Sequence, residues 1–300
     1  MSNTLGTTNA DVIALEALTQ LKARLPILSQ IAADHSKENA KFGERVIVHE
    51  VQAGTAPEFN PATGYVAQNR TQIDIPVTIN KHRHHTYAVG VQEASSSRAD
   101  LVQRFALNAA YALGAAVVGD LCALVTASNF TNKTTKALGA AADGFDRKAL
   151  LGVGRALSAR GTPPFNRFML LNADYFASLF MDDGMLQNLI LSGQKVLGGT
   201  DMPEVHNFGI SEYVDLSANG ENLVGFAGAR SALAFATRLP DDPGEGFSNV
   251  RIGTVSDDSG LSLQTREWYN ADLGKFNRTY TLMYGVAVGQ ADALQRIVSA

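Results

Sequence analysis

The stretch Arg45–Ala94 constrains the fold of this chain most, because it has the pattern of β-strands but too few apolar residues to build a core. Strand-like alternation in ERVIVHEVQ is followed by a run of glycine, proline and asparagine, and alternation then resumes in TQIDIPVTIN and TYAVGVQEA. The pattern predicts a long β-excursion with a mobile tip. Such an arm must either be disordered or gain its burial on another surface.

A long alanine-rich helix is predicted directly after the excursion, from Arg98 to about Ala127. Ser97 with Asp100 matches a capping-box pattern at its start. A helix of this length extends about 45 Å, which is long for a globular domain. Because small residues lie on all sides of it, we expect other elements to pack closely around the helix.

The rest of the chain has a mixed pattern of helical and strand-like segments. The predicted elements are an N-terminal helix over Val12–Ile31, a helix from about Arg147 to Arg160 capped by Asp146, the buried strand RFMLL, a helix from Asn172 to about Phe180, and long strands over Ser262–Trp268 and Phe276–Val288 around a turn. Helices and strands that follow each other in this order predict an α+β fold.

The composition is that of a folded, weakly acidic protein, with 300 residues, 45% hydrophobic content and a formal net charge of −4. Its acidity argues against phosphate neutralisation as the main task of the chain. The N-terminus lacks the basic segment and apolar core of a signal peptide. The apolar run Ala109–Val118 is too short for a membrane span, so we expect an intracellular product without membrane contact.

Three of the six histidines, His82, His84 and His85, lie within four residues beside Lys81 and Arg83. His82 and His84 would share one face of a strand, as metal ligands often do. A third ligand is missing, however, and the two neighbouring cations oppose a bound cation. We therefore favour a solvated or subunit-facing strand surface. If these histidines become protonated, glutamine at all three positions should weaken an assembly only below about pH 6.5.

No catalytic, cofactor or metal site emerges from the other motifs. The segment Gly152–Leu157 has half of a dinucleotide fingerprint, and a close helix contact is the favoured interpretation. Cys122 lies among apolar residues and predicts a buried structural thiol. Trp268 predicts a core or interface anchor. Three acidic pairs beside glycines predict solvated turns, at Asp182–Asp183, Asp241–Asp242 and Asp257–Asp258.

The order of these elements resembles the major capsid protein of tailed bacteriophages with the HK97-type fold. The extended E-loop of that family is similar to FGERVIVHEVQ together with TQIDIPVTINKHRHHTYAVGVQEA, and its spine helix to RADLVQRFALNAAYALGAAVVGDLCALV. A strand and helix of its A-domain resemble RFMLLNADYFASLFMDDG, and the closing strands of its P-domain resemble SLQTREWYNADLGKFNRTYTLMYGVAVGQADALQRIV. The resemblance implies an α+β, HK97-like capsid fold with an N-arm, an extended β-hairpin E-loop, a long spine helix, a P-domain and an A-domain.

The resemblance also implies how the chain is divided. The segments are 1–42 for the N-terminal arm and helix, 43–94 for the E-loop and adjoining P-domain strands, 95–138 for the P-domain with the spine helix, 139–255 for the A-domain, and 256–300 for the closing P-domain strands and the C-terminus.

Contacts between subunits are expected along the E-loop. NKHRHHTYAVGV would be the returning strand of the E-loop where it rejoins the body, with its basic face against acidic residues of an adjacent subunit. The expected interface residues are Glu58, Phe59, Tyr65, Arg70, Lys81, His82, Arg83 and His84.

The function implied by the resemblance is self-assembly into hexamers and pentamers that form the icosahedral shell around packaged phage double-stranded DNA. The protein would assemble in the host bacterial cytoplasm and reside in the virion capsid, without an enzyme activity or a cofactor. Implied partners are a separate scaffolding protein, a portal protein and optionally a decoration or cement protein, and the DNA is enclosed without sequence-specific contacts. Two alternatives stay open, an encapsulin-like bacterial compartment shell and a soluble α+β enzyme.

Overall fold

The structure is a computed structural model, and it describes residues 33–34, 45–51, 56–65, 72–90, 98–138, 144–180, 204–240, 250–256 and 262–300. Several predictions concern residues outside these ranges: the N-terminal helix, the Ser97 cap, the interface residue Arg70, and the acidic pairs at 182–183, 241–242 and 257–258.

The described residues form strands and fewer helices, which confirms a mixed α and β fold. The strands are β1 (Ala33–Asp34), β2 (Arg45–Val51), β3 (Gln72–Thr78), β4 (Lys81–Gly90), β5 (Lys133–Lys136), β6 (Arg167–Leu171), β7 (Glu204–Val205), β8 (Phe208–Glu212), β9 (Leu223–Ala229), β10 (Leu233–Arg238), β11 (Val250–Ser256), β12 (Ser262–Asn270), β13 (Lys275–Val288) and β14 (Leu294–Ser299). The α-helices are α1 (Arg98–Ala123), α2 (Arg147–Ala159) and α3 (Ala173–Phe180). None of them is long and apolar enough to cross a membrane, as far as the described residues go.

The strands belong to two large sheets and one hairpin. The first sheet has the order β1-β10-β13-β12-β11, and β4 pairs with β13 in addition. The second sheet has the order β5-β14-β9-β6-β8-β7, and β2 pairs with β3 alone. The chain changes sheet after β9 and returns for β14, so neither sheet is built from one continuous segment.

Helix α1 contacts both large sheets within one apolar cluster. The cluster unites Leu113 and Leu121 of α1 with Phe226 of the second sheet and with Phe235 and Leu282 of the first. Ala109 and Ala110 are among the buried residues of this cluster, whereas Asn108, Tyr111, Ala112 and Ala123 are exposed. The prediction that other elements pack closely around this helix is therefore confirmed for its buried side only.

Helix α1 ends at Ala123, four residues before the predicted end at Ala127. The side-chain amide of Asn219 donates hydrogen bonds to the carbonyls of Cys122, at 3.0 Å, and Val125, at 2.7 Å. The carbonyl of Cys122 also accepts a hydrogen bond from the amide of Val125, at 3.0 Å, and the side chain of Asn129 donates one to the carbonyl of Leu124, at 2.8 Å. Residues near and far in sequence therefore together satisfy the carbonyls at the end of the helix.

The second sheet has a further apolar core on the side of α2 and α3. In β6, Phe168 and Leu170 belong to the α1 cluster, whereas Met169 and Leu171 pack with residues of α2 and α3. All five residues of β6 are buried, which confirms the predicted buried strand. The predicted caps are also confirmed. The side chain of Asp146 accepts a hydrogen bond from the backbone amide of Ala149, at 2.8 Å, and that of Asn172 accepts one from the backbone amide of Tyr175, at 3.0 Å.

The long β-excursion is covered in part by its own chain. Val46, Val77 and Ile79 pack against Ala234 and Ala236 of β10. The expectation that the excursion gains its burial on another surface is therefore confirmed for the base of the β2–β3 hairpin, and that surface belongs to the same chain. Small alanine side chains on β10 make room for this base, and the strand pattern of the excursion carries no information about them.

The partner of β2 is β3, with Arg45 opposite Thr78, and β4 pairs with β13, with Lys81 opposite Tyr284. The interpretation of NKHRHHTYAVGV as the returning strand of the E-loop is thus corrected. The returning strand is β3, and β4 is a separate strand by which the chain joins the first sheet. Alternation predicts that a segment is a strand but not which strand it pairs with.

The predicted pair of closing strands is confirmed as β12 and β13, which pair antiparallel around a short turn. In this turn the side chain of Asn270 accepts hydrogen bonds from the amides of Asp272, at 3.1 Å, and Leu273, at 3.3 Å. Gly274 follows with a φ of +58°, a conformation that favours glycine. The sequence of this turn therefore encodes its own geometry.

Candidate assembly surface

The residues 56–65, here called the arm tip, form a turn of their own. The carbonyl of Asn60 accepts hydrogen bonds from the amides of Thr63, at 3.2 Å, and Gly64, at 2.8 Å. The side chain of Asn60 accepts a further one from Ala62, at 2.9 Å. Gly64 has a φ of +66°, which other residues adopt rarely. The segment NPATG thus builds a tight turn without support from a core.

Two aromatic rings are exposed at the arm tip. Phe59 is 54% exposed and Tyr65 is 94% exposed. Their ring centroids lie 4.9 Å apart at an interplanar angle of 44°, which is a favourable aromatic contact. Glu58 beside them is exposed as well. The arm tip therefore presents an aromatic surface with a negative charge, which a partner could bury.

The other predicted interface residues lie on β4, where successive side chains point to opposite faces. Lys81 and Arg83 point toward α1. The ammonium nitrogen of Lys81 lies 2.7 Å from Oδ1 of Asp120, and Nη2 of Arg83 lies 3.6 Å from Oδ2. The acidic partner of these cations is thus in the same chain, whereas an acidic partner in an adjacent subunit was expected. Arg83 keeps a side chain that is 53% exposed, so a further contact there stays a prediction.

Asp120 is the centre of a polar network between α1, β4 and β13. The hydroxyl of Tyr284 donates a hydrogen bond to Oδ2 of Asp120 at 2.5 Å. Burial acts to raise the pKa of the Asp120 carboxyl, but the hydrogen bonds from Lys81 and Tyr284 outweigh it and hold the pKa below its ordinary value. Burial and the neighbouring carboxylate raise the pKa of Tyr284. The network therefore keeps Asp120 charged and Tyr284 protonated.

Replacing Asp120 by asparagine is expected to destabilise the folded subunit by about 2 kcal/mol at pH 7, because Lys81 loses its anionic partner and Tyr284 its strongest acceptor. A carboxyl whose pKa is lowered by folding stabilises the protein above its unfolded pKa of about 3.9 and loses this effect as the pH falls. The difference from wild type should therefore shrink below about pH 4. Urea denaturation at pH 7 and pH 3 measures this difference in the free energy of unfolding.

Asp272 lies exposed in the β12–β13 turn and serves as the matched control for this substitution. Asp272→Asn should change the free energy of unfolding by less than about 0.5 kcal/mol. Equal stability of Asp120→Asn and wild type at pH 7 would contradict the proposed stabilising role of the network.

His82 and His84 lie on the opposite face of β4 from Lys81. Burial lowers the pKa of His82, and the nearby His84 and Arg266 lower it further. Among the described residues, no three histidine, cysteine or acidic side chains come together as metal ligands could. This face thus carries a histidine pair beside an arginine, and its role in subunit contacts stays a prediction.

The lowered pKa of His82 predicts that the folded subunit loses stability as the pH falls below about 6.5, since the unfolded chain then binds the proton more readily. His82→Gln should remove part of this loss. The variant is expected to show a smaller drop in thermal midpoint between pH 7 and pH 5 than wild type. Between pH 7 and pH 8 the two proteins should change alike, and an equal drop at pH 5 would refute the prediction.

Two further predictions are confirmed by the core. Cys122 is buried, with 1% exposed, and burial raises the pKa of its thiol to about 12, so it is a structural thiol. A Cβ at Gly154 would lie 3.3 Å from the ring of Phe208, which is the close helix contact expected at this motif. A Cβ at Gly152, in contrast, would meet no atom within 4 Å.

Sequence reasoning missed the role of Asp120. The signal was a single carboxylate in the apolar, alanine-rich part of α1 from Ala109 to Ala123. Such a residue is rarely buried without a partner, and two cations and a tyrosine on predicted strands were available. Their proximity became visible only when β4 and β13 were placed side by side.

The fold is shared with solved phage capsids. The capsid structure of the cyanophage P-SCSP1u matches with a TM-score of 0.59 at 10% identity, over 91% of this chain and 88% of that chain. The capsid of Ralstonia phage GP4 matches with a TM-score of 0.57 at 11% identity, over 89% and 86%. The mature capsid of bacteriophage PhiM1 matches with 0.55 at 11% identity, over 90% and 86%.

The chain therefore has the fold of phage capsid proteins. The resemblance to tailed-phage major capsid proteins that the sequence indicated is confirmed at the level of the fold. No protein-family model and no curated protein matches the sequence.

Proposed function

We propose that this chain is the major capsid protein of a tailed phage, and that it assembles into hexamers and pentamers of an icosahedral shell around double-stranded DNA. The observation that carries the proposal is the fold match to phage capsids, which extends over 91% of this chain in the cyanophage comparison. A match of this extent leaves little of the chain for a separate activity. The proposed role is structural, not enzymatic.

The arm tip supports this proposal physically. An exposed aromatic pair on a core-free turn is unfavourable in an isolated subunit and favourable once a neighbour covers it. An arm that lies on the next copy is a heterologous contact, which closes into rings when the rotation between copies allows it. A contact of this kind buries about 1,000 to 2,000 Å² in stable complexes. The binding free energies of many such contacts add up over a shell.

We assign the family's parts to the observed elements as follows. The β2–β3 hairpin with the arm tip corresponds to the E-loop, α1 to the spine helix, the first sheet to the P-domain, and the second sheet with α2 and α3 to the A-domain. The predicted boundaries at 42, 94, 138 and 255 divide the chain only approximately in this assignment, because β10 and β11 lie in the first sheet and β14 in the second.

Within this assignment, Phe59 and Tyr65 are the proposed interface anchors, with Glu58 beside them. His82, Arg83 and His84 offer a second contact on β4, whereas Lys81 is held by Asp120. A separate scaffolding protein and a portal protein are proposed partners, with a decoration or cement protein as an optional one. The shell encloses DNA without sequence-specific contacts and becomes part of the virion after assembly in the host cytoplasm.

Negative-stain electron microscopy and light scattering of the chain, expressed alone and with its neighbouring genes, test the proposal. We expect round shells, tubes or free hexamers of the 31.9 kDa chain. Monomers or dimers alone under both conditions would overturn the proposed function. Shells that contain a cargo enzyme and form without phage genes would point to the bacterial compartment alternative instead.

A further inference from the structure

The exposed face of α2 is cationic. Lys148, Leu151, Gly152 and Arg155 are exposed on it, while the opposite side of the helix is buried against the second sheet. The segment from Arg147 to Arg160 contains four cations and no acidic residue. In a chain with a net charge of −4, such a concentration of positive charge on one helix is unusual.

The charges of α2 do not serve the stability of the helix. Its first turn begins with Arg147 and Lys148 and contains no acidic residue, and its last turn contains no basic one. The helix dipole favours the opposite arrangement. Gly152 likewise weakens the helix interior although a Cβ there would meet no atom within 4 Å. Local preferences that are violated without a packing reason point to a function of this face.

The cations on and near α2 differ in the contacts they make. Arg167 is buried and donates hydrogen bonds to the carbonyls of Thr162, at 2.6 Å, and Pro163, at 2.8 Å. Arg160 donates to the side chain of Gln295 at 2.7 Å. Lys148 and Arg155, in contrast, form no ion pair with a carboxylate in the part of the chain that the structure describes. Both side chains are exposed, so a partner can reach them.

We propose that the exposed face of α2 contacts the phosphate backbone of double-stranded DNA, with Lys148 and Arg155 as the contacting cations. The inference rests on the proposed function, in which the shell encloses DNA, and it adds that α2 lies on the inner surface of the shell. Lys148 and Arg155 are two helical turns apart, about 10.5 Å along the axis. This spacing is close to the width of the major groove, about 12 Å, so the two cations reach phosphates on both sides of it.

The composition of the face favours DNA over a second copy of the chain. The cores of protein interfaces are depleted of lysine, serine and alanine and enriched in aromatic residues. The exposed face of α2 has Lys148, Ser158 and Ala159, one aliphatic side chain, Leu151, and no aromatic residue. The lack of a side chain at Gly152 allows a rigid backbone to approach closely. The contact is independent of base sequence, because phosphates carry no sequence information.

The test uses unassembled subunits of the full chain, in which α2 is accessible, and a fluorescent DNA duplex of mixed sequence, with binding followed by fluorescence anisotropy between about 50 and 200 mM NaCl. The variant K148E/R155E removes the two proposed contacts. The matched control R45E/K275E changes the net charge equally at exposed positions of β2 and β13. Electron microscopy of each protein reports assembly independently of DNA binding.

We expect K148E/R155E to assemble like wild type, to bind the duplex more weakly, and to lower the slope of log affinity against log salt by about 1.8, since each lost phosphate contact contributes about 0.9. The control should retain the wild-type slope. Equal slopes for K148E/R155E and R45E/K275E would overturn the proposed DNA contact, and so would a lack of salt-dependent binding by wild type. Neither result would affect the shell proposal. Loss of assembly in K148E/R155E would identify the face as a protein contact and would also overturn it.

Discussion

Replacing Phe59 and Tyr65 together by alanine is expected to prevent assembly while the subunit stays as stable as wild type. Both rings are exposed in the subunit, at 54% and 94%, so their removal leaves no cavity in a core. In the proposed contact they are aromatic anchors, each of which contributes about 2 kcal/mol or more when buried. A loss of about 4 kcal/mol per contact corresponds to an affinity lower by roughly 1,000-fold.

Sedimentation and electron microscopy over a range of subunit concentrations measure this effect, and urea denaturation measures the stability of the subunit. Phe165→Ala is the matched control, because Phe165 is also an exposed phenylalanine, at 65%, but lies in the turn before β6. It should assemble at the wild-type concentration. Shells of the double variant at that same concentration would refute the role of the arm tip, as would a large loss of subunit stability.

Replacing Gly285 by alanine is expected to destabilise the folded subunit by about 3 kcal/mol. A Cβ at this position would lie 2.2 Å from the carbonyl oxygen of Thr78 and 3.1 Å from the amide nitrogen of Ile79. Both are backbone atoms that cannot rotate away, in contrast to the end of a side chain. The chain crosses β13 here on its way from β3 to β4, so the added methyl group would separate the base of the arm from the first sheet.

Gly152→Ala is the control for Gly285→Ala, because an added Cβ in α2 meets no atom within 4 Å. This variant should be equally stable or more stable, by up to about 1 kcal/mol, since alanine favours the helix. Urea denaturation measures both variants, and limited proteolysis reports whether the arm becomes accessible in Gly285→Ala. Wild-type stability of Gly285→Ala would mean that the crossing of β13 is looser than the structure indicates.

Local elements could be predicted where the chain itself carries their signals. Asp146 and Asn172 accept hydrogen bonds from amides three residues ahead, and these capping partners lie within the same short segment. The turn between β12 and β13 is likewise encoded by Asn270 and Gly274. In the arm tip, Asn60 and Gly64 form a turn without help from other elements. The residues of the proposed interface at Phe59 and Tyr65 were named from the resemblance to the E-loop.

Pairing and mutual burial could not be predicted, because they depend on residues far apart in sequence. The strand character of Lys81–Gly90 follows from its alternation, but its partner is β13, about two hundred residues away. Asp120 became the centre of a charge network only because β4 and β13 meet above α1. The alanines of β10 that receive the β2–β3 hairpin gave no local sign of this contact.

The sequence by itself determined the order and type of the elements, their caps and turns, and an arm tip that a core cannot cover. These features depend on hydrogen bonds and periodicities within a few residues. Only the tertiary structure decided which strands pair and which of the described cations meet a carboxylate. Lys81 is paired with the carboxylate of Asp120, and Arg167 is buried with backbone carbonyls as hydrogen-bond acceptors, whereas Lys148 and Arg155 have no carboxylate partner in the described ranges. The physical reason is that the energy of a charge depends on what the whole fold brings next to it.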